Sequence, residues 1–549
     1  MAGNWLTFEP MQAQPSREQR LAALDTRSFD LLVIGGGITG CGIAREAALQ
    51  GLSVALIEQD DFASGTSSRS SRLVHGGVRY LEHGHLGLVF ESSKERRQLL
   101  EIAPHLVHPL EFVWPVYEGA RIPLWKLRAG LLLYDALALF RNVARHHRLT
   151  RAAVLEREPT LEPAGLVGGA LYYDAATNDA RLTLANALAA LESGAVVLNH
   201  VAAIGLLAGD GRVNGVSVHD RFSGAVLQVR ARVVVNATGP WSDEIRALDT
   251  PGVPTVRGSK GAHIAVPRER VGNRHALTLL SPRDGRVLFV IPAGRHAIIG
   301  TTETDASTEP GDVRASRADM GYLLDAANSF FPTAHLTDED VVSAWAGIRP
   351  LIPVAAENAG SVTREHAVSV SERGLVSVVG GKLTTYRVMA RDVVAAVLRV
   401  LRGRRMRLRP SAQPLPGGQL ESLETLVAEV TEATGDAPLA THLACSFGSR
   451  WRAVWEEMNH ADGRERVVDG LPYTIGELRY CARNEMAHTV GDLLIRRTHL
   501  AFETRDHGLG VAPMVAQSVT RAVGGFAPDT LAAVEDYARE VERIFSIDE

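Results

Sequence analysis

Cysteine is scarce in this chain, with three residues among 549. Cys41, Cys445 and Cys481 lie far apart, and no two of them stand in a C-x-x-C spacing. This excludes a disulfide framework and a cysteine-based zinc site, and it suits a reducing compartment. The sequence offers no metal site, and none is expected.

Long apolar runs and an excess of basic residues are also missing. No stretch approaches the ~18 consecutive apolar residues of a membrane-spanning helix, and the first residues lack the pattern of a secretory signal. The formal charge of −5 argues against a nucleic-acid binder, which would carry a basic surface. We therefore expect a cytoplasmic protein that binds no nucleic acid.

The composition is that of a globular protein of more than one domain, with 46% hydrophobic residues. Residues 1–28 are predicted as an N-terminal extension and 29–401 as a nucleotide-binding domain. Strand-rich segments such as GRVLFVIPAG and RHAIIGTTET predict an antiparallel sheet inserted into that domain, at about 100–180 and 250–350. A linker is predicted over 402–420 and a helical domain over 421–549.

A glycine-rich turn gives the first functional signal. FDLLVI (29–34) is typical of a buried parallel strand, and GGGITG follows it with Gly35, Gly37 and Gly40 in a G-x-G-x-x-G pattern. A helical pattern and a second apolar run ending in Glu58 complete a βαβ unit. The helix N-terminus binds pyrophosphate and the acid accepts hydrogen bonds from a ribose in such units.

Two later segments favour FAD over NAD as the dinucleotide. NATGPW (236–241) is similar to the second contact strand of flavoproteins, and GGKLTTYR (380–387) returns a helix start to the flavin end. The fold class predicted is α/β: a FAD domain of the two-dinucleotide-binding type, an inserted antiparallel-sheet substrate domain and an α-helical C-terminal domain. The further cofactor-binding candidates are Thr66, Ser67, Ser68, Gly76, Gly77, Gly239, Gly381, Leu383 and Thr384.

Several of these segments together carry a family resemblance. TSSRSSRLVHGGVRYLE, RGSKGAHIAVP, WAGIRPL and VVGGKLTTYR resemble the FAD-dependent glycerol-3-phosphate dehydrogenases, within the D-amino-acid-oxidase-like flavoproteins. The resemblance covers most of residues 29–400, and the C-terminal part resembles that family's helical cap. It implies oxidation of sn-glycerol 3-phosphate to dihydroxyacetone phosphate, with electrons passed to membrane quinone.

The resemblance also assigns roles at the site. Arg79, Arg364 and Lys382 are predicted to bind the substrate phosphate, with Tyr80 shaping the pocket, because basic side chains hold phosphate strongly. Arg349 is predicted to lie near the reacting carbon and to polarise the alkoxide. His75 and His263 compete for the role of catalytic base, and the sequence leaves both open.

Membrane attachment and oligomeric state are expectations of the same kind. The segment PLWKLRAGLLLYDALALFRNVARHHR (123–148) suits a helix lying in the membrane interface, or equally one packed on the core. A peripheral position on the cytoplasmic face of the inner membrane and a homodimer follow from the family. The alternative functions are a glycerol-phosphate oxidase that uses oxygen and an amine or amino-acid oxidase of the same fold.

Overall fold

The computed structural model describes residues 14–139, 143–250, 252, 255–306, 309–353, 362–363, 365–403, 408–523 and 529–549. Two sheets and a set of C-terminal helices account for most of this part of the chain, and they confirm the predicted fold class. The predicted domain boundaries stay a prediction. Part of the predicted N-terminal extension forms a helix, α1 (Arg17–Thr26).

The first sheet is built around the predicted βαβ unit. Strand β1 is apolar and buried on both faces, as a central parallel strand requires. It pairs in parallel with β2 and β10, which in turn pair in parallel with β7 and β19. The strands and their bounds are β1 Ser28–Ile34, β2 Val54–Ile57, β7 Val196–Leu198, β8 Val201–Gly209, β9 Arg212–Asp220, β10 Val226–Asn236, β18 His366–Val370 and β19 Val376–Gly380.

Helices cover one face of the first sheet, and the apolar core between them includes Val33, Ile43 and Val393. Both α2 and α10 begin at the carboxyl ends of their preceding strands, so two helix N-termini meet at one sheet edge. The helices of this half and of the inserts are α2 Ile38–Leu49, α3 Leu86–Ile102, α4 Leu124–Leu137, α5 Arg151–Arg157, α6 Asp179–Glu192, α7 Ser242–Asp249, α8 Arg268–Val271, α9 Arg317–Phe330 and α10 Tyr386–Arg402.

The second sheet is mainly antiparallel, and its strands come from three parts of the chain, near 73–74, 107–177 and 257–363. One parallel pair, β4 with β12, joins the segment near 107–177 to the segment near 257–353. Its strands are β3 Leu73–Val74, β4 Val107–Tyr117, β5 His147–Thr150, β6 Leu166–Thr177, β11 Arg257–Pro267, β12 Ala276–Leu280, β13 Val287–Ala293, β14 His296–Gly300, β15 Thr304–Asp305, β16 Ser343–Pro353 and β17 Val362–Thr363.

The C-terminal domain is helical and is tied to the first sheet by buried charges. Asp61, just after β2, accepts hydrogen bonds from Arg496 Nε at 2.7 Å and from Arg497 Nη1 at 2.6 Å. Burial alone would raise the pKa of Asp61, but the two guanidinium groups hold it below its usual value. The helices are α11 Leu423–Thr434, α12 Ala437–Phe447, α13 Trp451–Met458, α14 Ile475–Asn484, α15 Leu500–Glu503, α16 Ala512–Ala522 and α17 Thr530–Phe545, with a π-helical turn at Asp492–Arg497.

Among the described residues, no helix combines the length and the apolar character needed to cross a bilayer.

Candidate active site

The glycine-rich turn between β1 and α2 has the geometry of a dinucleotide site. Gly35 has a φ of +110°, which side chains rarely adopt, and a Cβ at Gly40 would collide with the carbonyl oxygen of Gly35. The close approach of α2 to β1 therefore depends on both glycines. Gly37, Ile38 and Thr39 at the start of α2 line the cavity beyond, and the N–H of Ile38 donates to Ser67 Oγ at 3.0 Å.

Glu58 is held rigidly at the end of β2. Its Oε2 accepts the backbone N–H of Gly36 and its Oε1 accepts that of Asp60, at 2.5 and 3.0 Å. Burial raises the pKa of this carboxyl to about 7, against the lowering effect of those hydrogen bonds. The carboxyl group thus lies in the cavity wall, fixed and ready to accept hydrogen bonds from a diol.

The first cavity runs along this edge of the first sheet, from Glu58 to Leu383, which lies just before α10. The predicted cofactor residues Gly35, Gly37, Glu58, Thr66, Ser67, Gly239, Gly381 and Leu383 line it. Gly40 and Ser68 are buried behind the wall, and Thr384 Oγ1 accepts the N–H of His75 at 3.2 Å. The glycine cradle, the helix N-termini and the fixed carboxyl fit the pyrophosphate and ribose of FAD.

A second cavity adjoins the first, between the segment after β3 and the second sheet. Its walls bring together side chains from distant parts of the chain, among them His75, Tyr80, Arg349, Asp174, Thr301 and Glu303. Gly77 lines it with a φ of +76°, and a Cβ at Gly76 would collide with Tyr134. The missing side chain at Gly76 therefore allows this segment to pack closely against Tyr134.

Arg349 lies in strand β16 and points into the second cavity. Its Nη2 donates to Thr301 Oγ1 at 3.1 Å, and a Cβ at Gly261 of the neighbouring β11 would collide with the guanidinium group. The missing side chain at position 261 makes the space that the arginine occupies. A half-buried cation beside a cavity suits the stabilisation of an oxyanion.

The two candidate bases occupy different positions. His75 lines the second cavity, whereas His263 lies behind the wall, stacked on Trp345 at 5.5 Å between ring centroids. His263 Nε2 is 2.8 Å from the Oγ of Ser71, which does line the cavity. Burial and then the nearby positive charge of Arg349 lower the pKa of His263 to about 3, so its ring stays neutral.

The predicted phosphate ligands are described only in part. Arg364 and the side chain of Arg79 lie outside the described residues, although the backbone of Arg79 lies in the turn Val78–His83 beside the cavity. Lys382 lines the first cavity. Its Nζ donates to Ser92 Oγ at 3.1 Å and lies 4.1 Å from the centre of the Tyr80 ring.

Sequence reasoning missed several residues that line or support the second cavity. Arg286 lines it and donates from Nη1 to the carbonyl of Glu303 at 2.7 Å. Behind Gly76, Asp174 Oδ1 accepts from the backbone N–H of Gly76, from Tyr134 and from the buried Arg96. Arg286 is the second residue of GRVLFVIPAG, and its place immediately before strand β13 is the one signal that the sequence offers.

Comparison with known proteins gives the same assignment along the whole chain. The family model "FAD dependent oxidoreductase" matches residues 30–387, and "C-terminal domain of alpha-glycerophosphate oxidase" matches 410–525. The glycerol-3-phosphate dehydrogenase of Mycobacterium leprae is 40% identical over 96% of this chain and 90% of its own length. The aerobic glycerol-3-phosphate dehydrogenase of Staphylococcus saprophyticus is 35% identical over 97% of both chains.

A solved structure extends the likeness to three dimensions. The glycerol-3-phosphate dehydrogenase from Bacillus halodurans, complexed with FAD, superposes with a TM-score of 0.78 at 31% identity, over 96% of this chain and 97% of that one. Identity at this level over nearly the full length of both chains goes beyond a shared fold. The chain belongs to the family of FAD-dependent glycerol-3-phosphate dehydrogenases.

Proposed function

We propose that the protein oxidises sn-glycerol 3-phosphate at C2 to dihydroxyacetone phosphate, using FAD. The observation that carries this proposal is the second cavity, which adjoins the cofactor cavity and brings Arg349, Arg286 and His75 together. A phosphorylated secondary alcohol needs a cation for its phosphate and a base for its hydroxyl group, and this cavity supplies both. The names of the relatives agree with that substrate.

The residues of the second cavity have separate roles in binding the substrate and in removing its proton. Arg286, with the predicted ligands Arg79, Arg364 and Lys382, binds the phosphate and fixes the orientation of C2. His75 removes the proton of the C2 hydroxyl group. Arg349 stabilises the negative charge that develops on that oxygen, because it is a cation held in place by Thr301 before the reaction begins.

FAD held along the first cavity by the glycine turn and Glu58 would supply the acceptor for the hydride of C2. The chain holds this site ready: the Asp174–Arg96–Tyr134 cluster fixes Gly76, and Ser71 is fixed by the neutral His263. His263 is thereby assigned a positioning role and His75 the role of base.

The electron acceptor proposed is a membrane quinone, reached at the cytoplasmic face of the inner membrane. Helix α4 buries Leu127 and Leu131 and leaves Trp125, Leu132 and Leu133 exposed, and the neighbouring α3 exposes Leu86 and Phe90. This set of five residues is here called the apolar patch. An apolar surface flanked by basic residues such as Lys126 and Arg128 suits docking to anionic lipid.

The position of the apolar patch supports that acceptor. Helix α3 packs against the turn Val78–His83 and against the turn Leu383–Thr385, which lie beside the second and the first cavity respectively. A quinone held at the patch would therefore be one layer of protein away from the flavin end of the cofactor cavity.

Anaerobic reduction of the bound flavin tests the proposed function. Glycerol 3-phosphate should bleach the flavin absorbance, whereas glycerol and a panel of D- and L-amino acids should not. Bleaching by an amino acid and not by the phosphate ester would contradict the proposal. In a second step, a short-chain quinone should reoxidise the flavin faster than air-saturated buffer does; the reverse order would favour the oxidase.

A further inference from the structure

A third cavity lies between the second sheet and the helical C-terminal domain. Its walls come from residues 267–274, from the start of β14, and from two C-terminal segments, 468–471 and 503–505, and its volume is about 750 Å³. Small-molecule sites commonly measure about 300–1,000 Å³. The third cavity shares no lining residue with the first two, so neither FAD nor the alcohol substrate accounts for it.

Four arginines line this space, Arg268, Arg274, Arg295 and Arg505, and all four are exposed to solvent. Across the described ranges, none of the four forms an ion pair; Arg295 and Arg505 donate only to backbone carbonyls, those of Gly470 and Val341. Arg270, on the same short helix as Arg268 but outside the cavity, is ion-paired with Asp340 at 3.1 Å. Among the described residues, the four cavity arginines therefore keep their charges outside ion pairs.

The three acidic residues of the wall cancel only part of the charge of the four arginines. Glu269, Asp469 and Glu503 also line the cavity, and burial raises the pKa of Glu503, which favours its neutral form. Four like charges around one space repel one another, and a bound anion would relieve that repulsion. Guanidinium groups match phosphate oxygens in geometry as well as in charge.

We propose that the third cavity binds a phosphate-bearing small molecule of nucleotide size, with Arg295 and Arg505 as its main phosphate ligands. Arg295 lies in the turn that joins β13 and β14 of the second sheet and Arg505 lies in the C-terminal domain, so the ligand bridges the two parts of the molecule. Because four arginines line a space of about 750 Å³, a ligand that carries more than one phosphate group would fit it best.

Titration calorimetry on the FAD-loaded protein tests the proposal, with ATP and inorganic tripolyphosphate as probes. Because FAD fills the adenosine site, both probes should bind saturably with one site per chain. The variant Arg295→Gln/Arg505→Gln should bind both about tenfold more weakly, or worse, since it loses two charge-assisted contacts. The control variant Arg270→Gln/Arg317→Gln removes the same charge from nearby ion pairs and should bind as the unmodified protein does.

The flavin absorbance spectrum of each variant shows whether it is folded and loaded. Absence of saturable binding, or equal weakening in the control variant, would overturn the proposal. Binding that survives Arg295→Gln/Arg505→Gln would place the site elsewhere and overturn it as well. Binding of tripolyphosphate without ATP would overturn the assignment to a ligand of nucleotide size. None of these outcomes depends on the oxidation of glycerol 3-phosphate.

Discussion

At the scale of single residues, Arg349 is held by a strand register as much as by its own contacts. Strands β11 and β16 align so that the guanidinium group crosses the position where residue 261 has no side chain. Gly261 in RGSKGAHIAVP is therefore needed for Arg349 in WAGIRPL to reach the second cavity. The sequence displays both motifs, but only the pairing of the strands shows why one depends on the other.

Arg349→Ala should keep bound FAD and lose most turnover. Removal of a preorganised cation beside a developing oxyanion typically costs ~10²–10³ in rate. Stopped-flow measurement of anaerobic flavin reduction by glycerol 3-phosphate gives that rate directly. Arg317→Ala, an exposed arginine of α9 outside the three cavities, is the control and should reduce its flavin normally. Normal flavin reduction in Arg349→Ala would refute the role assigned to it.

Substitutions of His75 and His263 should have different effects on the pH dependence of flavin reduction. His75→Gln should slow flavin reduction about 10²-fold or more and remove the acidic limb of its pH profile, because the base that must be deprotonated is gone. His263→Gln should keep that limb, since a ring whose pKa is about 3 is neutral throughout the assay range. The pH dependence of the reduction rate checks both. If His263→Gln lost the acidic limb and His75→Gln kept it, the roles of the two histidines would have to be exchanged.

Glu58 should make FAD binding depend on pH. Its raised pKa of about 7 means that the apoprotein holds this carboxyl partly protonated near neutrality. Ribose hydroxyls bond more strongly to a carboxylate, so FAD affinity should rise about tenfold between pH 6 and pH 8 as the proton leaves. Glu58→Gln should bind FAD more weakly with little pH dependence. Fluorescence titration of the apoprotein with FAD measures both, and a flat profile in the unmodified protein would contradict the prediction.

At the scale of elements, the parts predictable from the sequence are those with local patterns. FDLLVI, the glycine turn and the helix after GGKLTTYR lie within a residue or two of their predicted places, because apolar runs and glycines act over short distances. The supporting cluster of Asp174, Arg96 and Tyr134 had no such signal. Its members are 38 to 78 residues apart and meet only through the packing of α3 and α4 on β6.

Helix α4 packs Leu127 and Leu131 on the core and exposes Trp125 and Leu132, and the proposed membrane contact would use that exposed face. Trp125→Gln/Leu132→Asn should therefore leave the fold intact and reduce binding to vesicles of phosphatidylcholine and phosphatidylglycerol by at least about tenfold, because each buried side chain contributes ~1.5–3 kcal/mol. Cosedimentation measures the bound fraction. Leu531→Asn removes an equally exposed apolar side chain from α17 and should have no effect. Equal losses in the two variants would exclude a specific role for α4.

At the scale of the whole molecule, the C-terminal domain supports the cofactor cavity through Asp61. Arg497→Ala leaves a buried carboxylate with one partner fewer, and breaking such a pair typically costs ~3–5 kcal/mol. The melting temperature should fall and FAD should dissociate at a lower temperature, as read by circular dichroism and flavin fluorescence. Arg539→Ala, which breaks an exposed pair with Asp536 on α17, should change neither. An unchanged melting temperature in Arg497→Ala would show that the two parts are stabilised independently.

The pairing of Asp61 with Arg496 and Arg497 also bears on the order in which the chain assembles during synthesis. Arg496 and Arg497 follow Asp61 by 435 and 436 residues in the chain. These ion pairs therefore form only after nearly all of the chain has left the ribosome. Until then Asp61, three residues beyond Glu58, lacks its two buried arginine partners and has only the amide of Asn199, and it disfavours closure of the adenosine end of the cavity. FAD should consequently load onto the completed chain rather than onto the growing one.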